Sequence, residues 1–465
     1  MDLVRTSPDK ELPLELAHHR PGEAGYRRLI LALFAAGVAT FAALYSTQPL
    51  LGLLSTHFAL RASRAAWSVS VTTLLLGIGM LAAGPLSDRW GRTGTIKGSL
   101  VLTALLGMAC AVAPSWPVLL VLRGAQGLAL AGAPAVALVY LREEVHASVH
   151  PRATGLYIAG TAMGGMTGRL VAGGVADLAG WRWALAAVAA LSGLCALATV
   201  AALPASRHGL RSGTAGDRGP VRGPAVPGGW RHALGAAGRV LRDGQILCLC
   251  LIACTSMGAF VAIYNVLGLR LTTAPYHLSV FAASLVFCVY PLGSASSAVA
   301  GRLAERLGRP VVVLAGGLFA TAGVAVSLAS PLPVVILGIA MITAGFFAAH
   351  GVASGWAASA GQRRQAAAQA PAFYLLAYYL GSSVFGVLGA NLWESGRWPA
   401  VAVMAAVLLL TAAATGGAQA RASAPGVTPL AQPGCPAIGS RPRPGRPRTR
   451  ASRSALGRPG RGICR

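Results

Sequence analysis

Apolar positions come in long unbroken runs rather than in the alternating or one-sided patterns of a water-soluble fold. Twelve runs approach or exceed the roughly 20 residues needed to cross a bilayer as a helix. They cover 29–51, 66–86, 96–113, 117–141, 154–176, 183–203, 246–269, 280–301, 311–330, 333–357, 371–392 and 399–418. Backbone groups in lipid must be satisfied within each segment, so every run is expected to be a helix. Short polar breaks separate the runs, except at 204–245, a Gly/Pro/Arg-rich stretch that divides them six and six. The pattern predicts an all-α polytopic membrane protein of twelve transmembrane helices in two six-helix halves. Its parts are a tail over 1–28, a first bundle over 29–203, a loop over 204–245, a second bundle over 246–418 and a basic tail over 419–465. That last tail, with Arg441-Pro-Arg-Pro-Gly-Arg-Pro-Arg, is too polar to bury a core and is expected to be disordered. Residues 1–26 are polar and the first run is too long for a signal h-region, so no cleavable leader is expected.

Composition agrees with the pattern. Of the 465 residues, 55% are hydrophobic and only 11% charged, less than half the charge of an ordinary soluble domain. The acidic residues stand at run ends, in loops or in tails. The net charge of +26 does not mark a nucleic-acid binder, because no basic, aromatic-interleaved domain is present. The basic residues instead follow the rule that cytoplasmic loops hold the Lys and Arg. Only Arg61, Arg64, Arg182, Arg270 and Arg397 fall on the side away from the tails, and only Arg123 and Arg169 lie inside runs away from their ends. Both termini and the 204–245 loop are therefore expected in the cytoplasm. Cys248 and Cys250 have metal-pair spacing but no His or acid nearby, and read as small buried hydrophobes. Neither a metal nor a cofactor is expected.

A second regularity lies beneath the hydropathy. Gly84, Asp88, Arg89, Gly91 and Arg92, in the expected loop after the second run, recur as Gly301, Glu305, Arg306, Gly308 and Arg309 after the eighth. The same offset relates Gly164 to Gly381, Asp177 to Glu394 and Trp181 to Trp398. Register kept across a whole half points to a parallel repeat about the membrane normal. Gly84 and Gly301 are expected to let helix backbones approach closely. Asp88 and Glu305 are suited to capping a neighbouring helix N-terminus. Gly160, Gly164 and Gly168 fall on one helix face, expected to be a close packing surface, with Gly381 in the matching place of the other half.

On these motifs the chain resembles the major facilitator superfamily over roughly residues 27–418. Gly84-x-x-x-Asp88-Arg89-x-Gly91-Arg92 is similar to that family's signature between helices 2 and 3, and Arg123-x-x-Gln126-Gly127 to its second motif. The span 5 glycines are similar to a glycine-rich motif of the efflux branch, without its Gly-Pro pair. Gly164-Gly-Met-Thr-Gly-Arg169, Gly345-Phe-Phe-Ala-Ala-His350 and Tyr378-Tyr-Leu-Gly-Ser-Ser383 resemble bacterial inner-membrane efflux proteins. The resemblance implies a monomeric secondary transporter that exports a small solute across a bacterial inner membrane by alternating access. Protons are the implied coupling ion. It also implies that Gly84–Arg92 and Gly301–Arg309 act as a conformational gate, and that Arg123 faces the central cavity.

An ionisable residue inside a span is costly and marks a functional candidate. Arg123, Arg169 and His350 qualify, and the two arginines would suit an anion. Tyr45, Gln48, Gln126, Tyr264, Asn265 and Tyr378 are the polar or aromatic candidates for a substrate or proton pathway, each competing with plain interhelical packing. Uptake by a symporter or facilitator is the alternative within transport. A non-transporting membrane receptor is the alternative outside it, although neither long polar stretch offers a sensory domain. Nothing in the sequence marks an enzyme.

Overall fold

The computed structural model describes residues 19, 23–204, 206, 235, 237–367 and 369–423. Most of the 204–245 loop, the first tail and the basic tail beyond Ser423 lie outside the described residues. Span 1 is α1 (Ala24–Leu44), a 3-10 turn at Gln48–Leu50 and α2 (Leu51–His57). Spans 2 and 3 are α3 (Ala62–Trp90) and α4 (Arg92–Ala111). Span 4 joins α5 (Trp116–Leu130) to α6 (Gly132–Glu144). α7 (His150–Ala202) carries spans 5 and 6. In the second half, span 7 is α8 (Gly244–Thr272), and span 8 joins α9 (Val280–Ser284), a 3-10 turn at Leu285–Val289 and α10 (Tyr290–Leu307). Spans 9 and 10 are α11 (Arg309–Val326) and α12 (Leu332–Arg363), and α13 (Gln369–Ser423) carries spans 11 and 12.

Ten described helices are long and apolar enough to cross a membrane. α7 and α13, at 53 and 55 residues, would each run about 80 Å at 1.5 Å per residue, far beyond a hydrocarbon layer of about 30 Å. Each is broken by one residue with positive φ, Gly180 (81°) and Arg397 (53°). These two positions stand at the same 217-residue offset, and splitting there restores twelve spans in two six-helix halves. Large apolar side chains such as Leu31, Leu105, Val121, Leu178 and Leu194 point outward, as lipid-facing surface requires.

Gly180 has ψ 177° and Arg397 ψ −154°, a region that glycine alone occupies without strain. Gly180→Ala is expected to cost about 1–3 kcal/mol, and Arg397→Gly to relieve a similar strain. The melting temperature of the purified protein should fall for the first and rise for the second. A shift of the same sign in both would refute the shared break.

The expected loop after span 2 is not a loop. Gly84–Trp90 continue the helix of span 2, and Gly91 (φ 78°) alone turns the chain into span 3. Span 8 likewise runs to Leu307 before Gly308 (φ 88°) turns into span 9. The end carrying these two turns is called the basic-loop face below, and the other end the opposite face.

The halves meet unequally. Toward the opposite face one apolar core draws on both: Leu44, Leu51, Val69 and Leu130 pack with Phe260, Tyr264, Phe287, Trp393 and Trp398. Toward the basic-loop face the cores are separate. Leu29, Leu33, Ile96, Tyr140 and Tyr157 belong to the first half alone, and Leu249, Val313, Trp356 and Tyr374 to the second. Between halves, span 2 packs on span 11 and span 5 on span 8.

Candidate functional site

The site begins at a break in span 1. Pro49 has no N–H and its ring excludes a helical carbonyl four residues back, so α1 stops at Leu44 and leaves carbonyls without intrahelical donors. Arg123, from span 4 and 1% exposed, takes this position. Its Nη1 donates to Ala43 O (3.1 Å), Ser46 Oγ (3.3 Å) and Gln126 Oε1 (2.6 Å). Its Nη2 donates to Leu44 O (2.7 Å) and its Nε to Ser68 O (3.0 Å). Gln126 Nε2 in turn donates to Thr103 O (3.1 Å). A cation at a helix C-terminus is doubly favoured, by hydrogen bonding and by the helix dipole. These bonds all stay inside the first half.

Past the break, Gln48 reaches the boundary between halves. Its Nε2 donates to Asn265 Oδ1 of span 7 at 2.8 Å, and its Oε1 accepts from Arg169 Nε of span 5 at 2.7 Å. Asn265 Nδ2 donates onward to Gly386 O at 3.4 Å. Gln48 and Asn265 are 217 residues apart, as are Arg169 and Gly386, so the chain of bonds lies across the repeat's pseudo-twofold axis. The Arg169 guanidinium rests over the rings of Tyr45 (4.4 Å), Phe287 (4.7 Å) and Tyr290 (5.0 Å). Tyr264 stacks beside Phe287 and donates to or accepts from Thr343 Oγ1 at 2.7 Å.

From there an aromatic wall descends the second half. Phe260 stacks on Phe346 at 4.2 Å, Phe346 on His350 at 5.6 Å, and Tyr378 lies 4.7 Å from the His350 ring. His350 Nδ1 pairs with Tyr374 Oη at 3.0 Å. Nearby, Ser383 Oγ bonds across the halves to Thr73 Oγ1 (2.8 Å) and Ser70 O (2.9 Å).

At the opposite face two carboxylates join the halves. Asp177, ending span 5, accepts from Val280 N (3.0 Å) and Phe281 N (2.8 Å) at the start of span 8. Glu394, ending span 11, accepts from Ser63 N (2.9 Å) at the start of span 2. Acid and donor positions both repeat at the 217-residue offset, so these are two copies of one contact.

The basic-loop face contrasts with this. Asp88 pairs with Arg92 (2.8 Å), which also bonds Ser87 and Glu143 (3.4 Å). The expected capping of a helix N-terminus by Asp88 is therefore not made here, and it is Asp177 and Glu394 that take that role at the other end. A side chain built on Gly84 or Gly301 would meet nothing within 4 Å, so the expected close backbone approach is absent as well. Both expectations fail for the same reason: the halves stand apart on this side. Arg89, Glu305, Arg306 and Arg309 lie at the same end, on or beside the two turns. The close packing lies at Gly160, Gly164 and Gly168, against Phe34, Val38 and Ala42 of span 1, and at Gly381, against Cys254 of span 7.

The structure thus brings Tyr45, Gln48, Arg169, Tyr264 and Asn265 together, joins His350 and Tyr378 to them through aromatic rings, and holds Arg123 and Gln126 in a separate network. Phe287, Tyr290, Phe260 and Phe346 escaped sequence reasoning because an aromatic residue in an apolar run looks lipid-facing. Ser63 and Val280 escaped because a backbone N–H carries no side-chain signal, although the Asp177/Glu394 repeat pointed to their region.

A twelve-span bundle whose halves share a buried polar junction and close at one end only has the architecture of a solute carrier. The chain matches the Major Facilitator Superfamily profile over residues 33–385. It is 36% identical over 410 residues to the uncharacterized MFS-type transporter YybF of Bacillus subtilis, covering 87% of this chain and 96% of that one. To the inner membrane transport protein YnfM of Escherichia coli it is 37% identical over 400 residues, covering 85% and 91%. The fold is similar to that of a bacterial homolog of the human lysosomal transporter Spinster in an inward-facing, occupied conformation (TM-score 0.65, 16% identity, 86% of this chain and 98% of that one). It is also similar to the nucleoside transporter NupG (TM-score 0.64, 16% identity, 84% and 99%). The chain belongs to the Major Facilitator Superfamily, a family of multi-pass membrane transporters rather than enzymes.

Proposed function

We propose that this protein exports a small solute across a bacterial inner membrane by alternating access, acting as a monomer with both termini in the cytoplasm. Residues 29–203 and 246–418 are the two moving halves and 204–245 the cytoplasmic link. The basic-loop face is the cytoplasmic one under the positive-inside rule, and the structure is then the inward-facing state. One observation carries the reading: the halves are fastened by the paired Asp177 and Glu394 contacts at one face and share no core at the other. Opening outward must break both acid contacts. In that state the Gly84–Arg92 and Gly301–Arg309 segments close together as the cytoplasmic gate.

Proton antiport is the coupling this reading favours, and His350 is its carrier. Among the described residues it is the one imidazole within the bundle rather than near a face, held by Tyr374 Oη and stacked against Phe346. Uncoupler treatment of inside-out vesicles should abolish solute accumulation; accumulation indifferent to an uncoupler rejects proton coupling.

Each acid contact resembles a helix N-cap, worth about 1 kcal/mol. Removing both with Asp177→Ala and Glu394→Ala should shift the conformational balance outward by roughly 2 kcal/mol, about thirtyfold. The readout is a single cysteine, Ala283→Cys, in a chain whose native cysteines are replaced. Its labelling by an impermeant maleimide from outside whole cells should rise at least tenfold in the double variant. A Gly301→Cys reporter should react only from the cytoplasmic side. Unchanged labelling at 283, or external labelling at 301, would overturn the alternating-access assignment or its orientation.

A further inference from the structure

We infer that Arg169 is the receptor for a single negative charge, and that the transported solute is a small organic anion with a flat, apolar body. The inference rests on the transport reading above and deepens it to a substrate class.

The two buried arginines differ in how far their donors are used. Arg123 has all three nitrogens engaged by five acceptors. Arg169 is 2% exposed, and its Nε and Nη1 donate to Gln48 Oε1 and Gly165 O (2.5 Å). Its Nη2 has no hydrogen bond among the described residues, and no carboxylate pairs with it there. A guanidinium keeps its charge in proteins, and a charge buried without a counter-ion is destabilising. An incoming oxyanion is the missing partner, and the planar fork suits a carboxylate or sulfonate.

The surroundings specify the rest of the ligand. Faces of Tyr45, Phe287 and Tyr290 line the guanidinium, and Phe347 lies 6.0 Å from Tyr290, continuing the aromatic surface toward Phe346 and Tyr378. Such walls favour a flat, apolar body. The repeat argues for one charge only. At the offset of 217 residues from Arg169 and Tyr45 stand Gly386 and Ala262, so the second half offers no matching cation.

The location ties binding to movement. Gln48 holds Arg169 on one side and Asn265, across the boundary, on the other. An anion that takes the guanidinium from Gln48 loosens that link between halves. An inside-negative membrane potential drives a bound anion outward, the direction proposed above.

The test uses four probes that share one ring system: 1-naphthoate and 1-naphthalenesulfonate as anions, 1-naphthamide as the neutral form and 1-naphthylmethylammonium as the cation. Thermal unfolding of the purified full chain is followed by tryptophan fluorescence. The two anions should raise the melting temperature by several degrees at saturation, and the amide and ammonium should not. Arg169→Gln should raise the half-saturating anion concentration at least tenfold, and Arg169→Lys should restore part of the affinity. Gln48→Met, which removes the competing acceptor and keeps the guanidinium, should lower it severalfold. That opposite sign keeps the test decisive if Arg169→Gln folds poorly. Equal stabilisation by the amide, anion effects that survive Arg169→Gln, or no response to either anion overturns the inference. The cysteine labelling above needs no ligand, so normal alternation with failed anion binding removes the substrate class alone.

Discussion

Arg123→Leu is expected to lose several kcal/mol of stability, from orphaned buried acceptors and a lost helix-end cation, and to leave little monodisperse protein after detergent extraction. Leucine fills much of the space but donates nothing. Leu44 O and Gln126 Oε1 each lose the donor described above, buried where water does not replace it, and an unsatisfied buried acceptor costs about 1–3 kcal/mol. The C-terminus of α1 also loses its cation, worth up to about 2 kcal/mol in partly buried geometries. Because Pro49 prevents α1 from continuing, the break cannot heal by extending the helix. Arg123→Lys keeps the charge but not the fork, and should recover less than half of the loss. An Arg123→Leu protein that melts within about 2 °C of the parent would show that the network contributes little and that Arg123 acts elsewhere.

The second large effect is expected at Gly164. A Cβ there would lie 2.6 Å from Val38 Cα and 2.9 Å from Val38 C, main-chain atoms that cannot rotate away as a side-chain tip can. Gly160 and Gly168 meet Phe34 and Ala42 in the same manner, so spans 1 and 5 touch backbone to backbone over two turns. Gly164→Val must push the helices apart along that whole seam. Overpacking ordinarily costs about 1–3 kcal/mol, and a contact against rigid backbone belongs at or above the top of that range. Span 1 also carries Gln48, so the displacement should weaken the junction between halves and reduce transport beyond the loss of folded protein. Gly155→Ala is the matched control: nothing lies within 4 Å of its Cβ, and in a helix interior alanine is favoured over glycine by up to about 1 kcal/mol. Comparable melting temperatures for the two variants would contradict the seam.

The spans were legible because hydropathy is a local property and each span must satisfy its own backbone. The repeat was legible because duplication leaves identical offsets. The same offset anticipated the importance of Asp177 and Glu394, yet their role was assigned to Asp88 and Glu305 instead. A carboxylate at a membrane face reads alike at either end of the bundle; which helix N-terminus lies within reach depends on how the halves lean. The Gly84 and Gly301 expectation failed on the same ground. Small residues permit close approach, but only the tilt of the halves decides whether it occurs.

Arg182 and Arg270 show the limit most clearly. Arg182 Nη1 donates to Ala113 O at the end of span 3 while its guanidinium lies 4.4 Å over Trp181. Arg270 donates to Ser327 O and Ala329 O at the end of span 9 while lying 4.4 Å over Trp398. Trp181 and Trp398 are repeat partners; the arginines are not, and they reach the same task from different helices. By itself the sequence determined the number of spans, their duplication, and the few polar groups buried among them, because those follow from the cost of exposing backbone and charge to lipid. The tertiary structure decided which arginine is fully paired and which keeps a free donor, and which face is fastened. Those outcomes depend on distances between residues far apart in the chain, which no local pattern encodes.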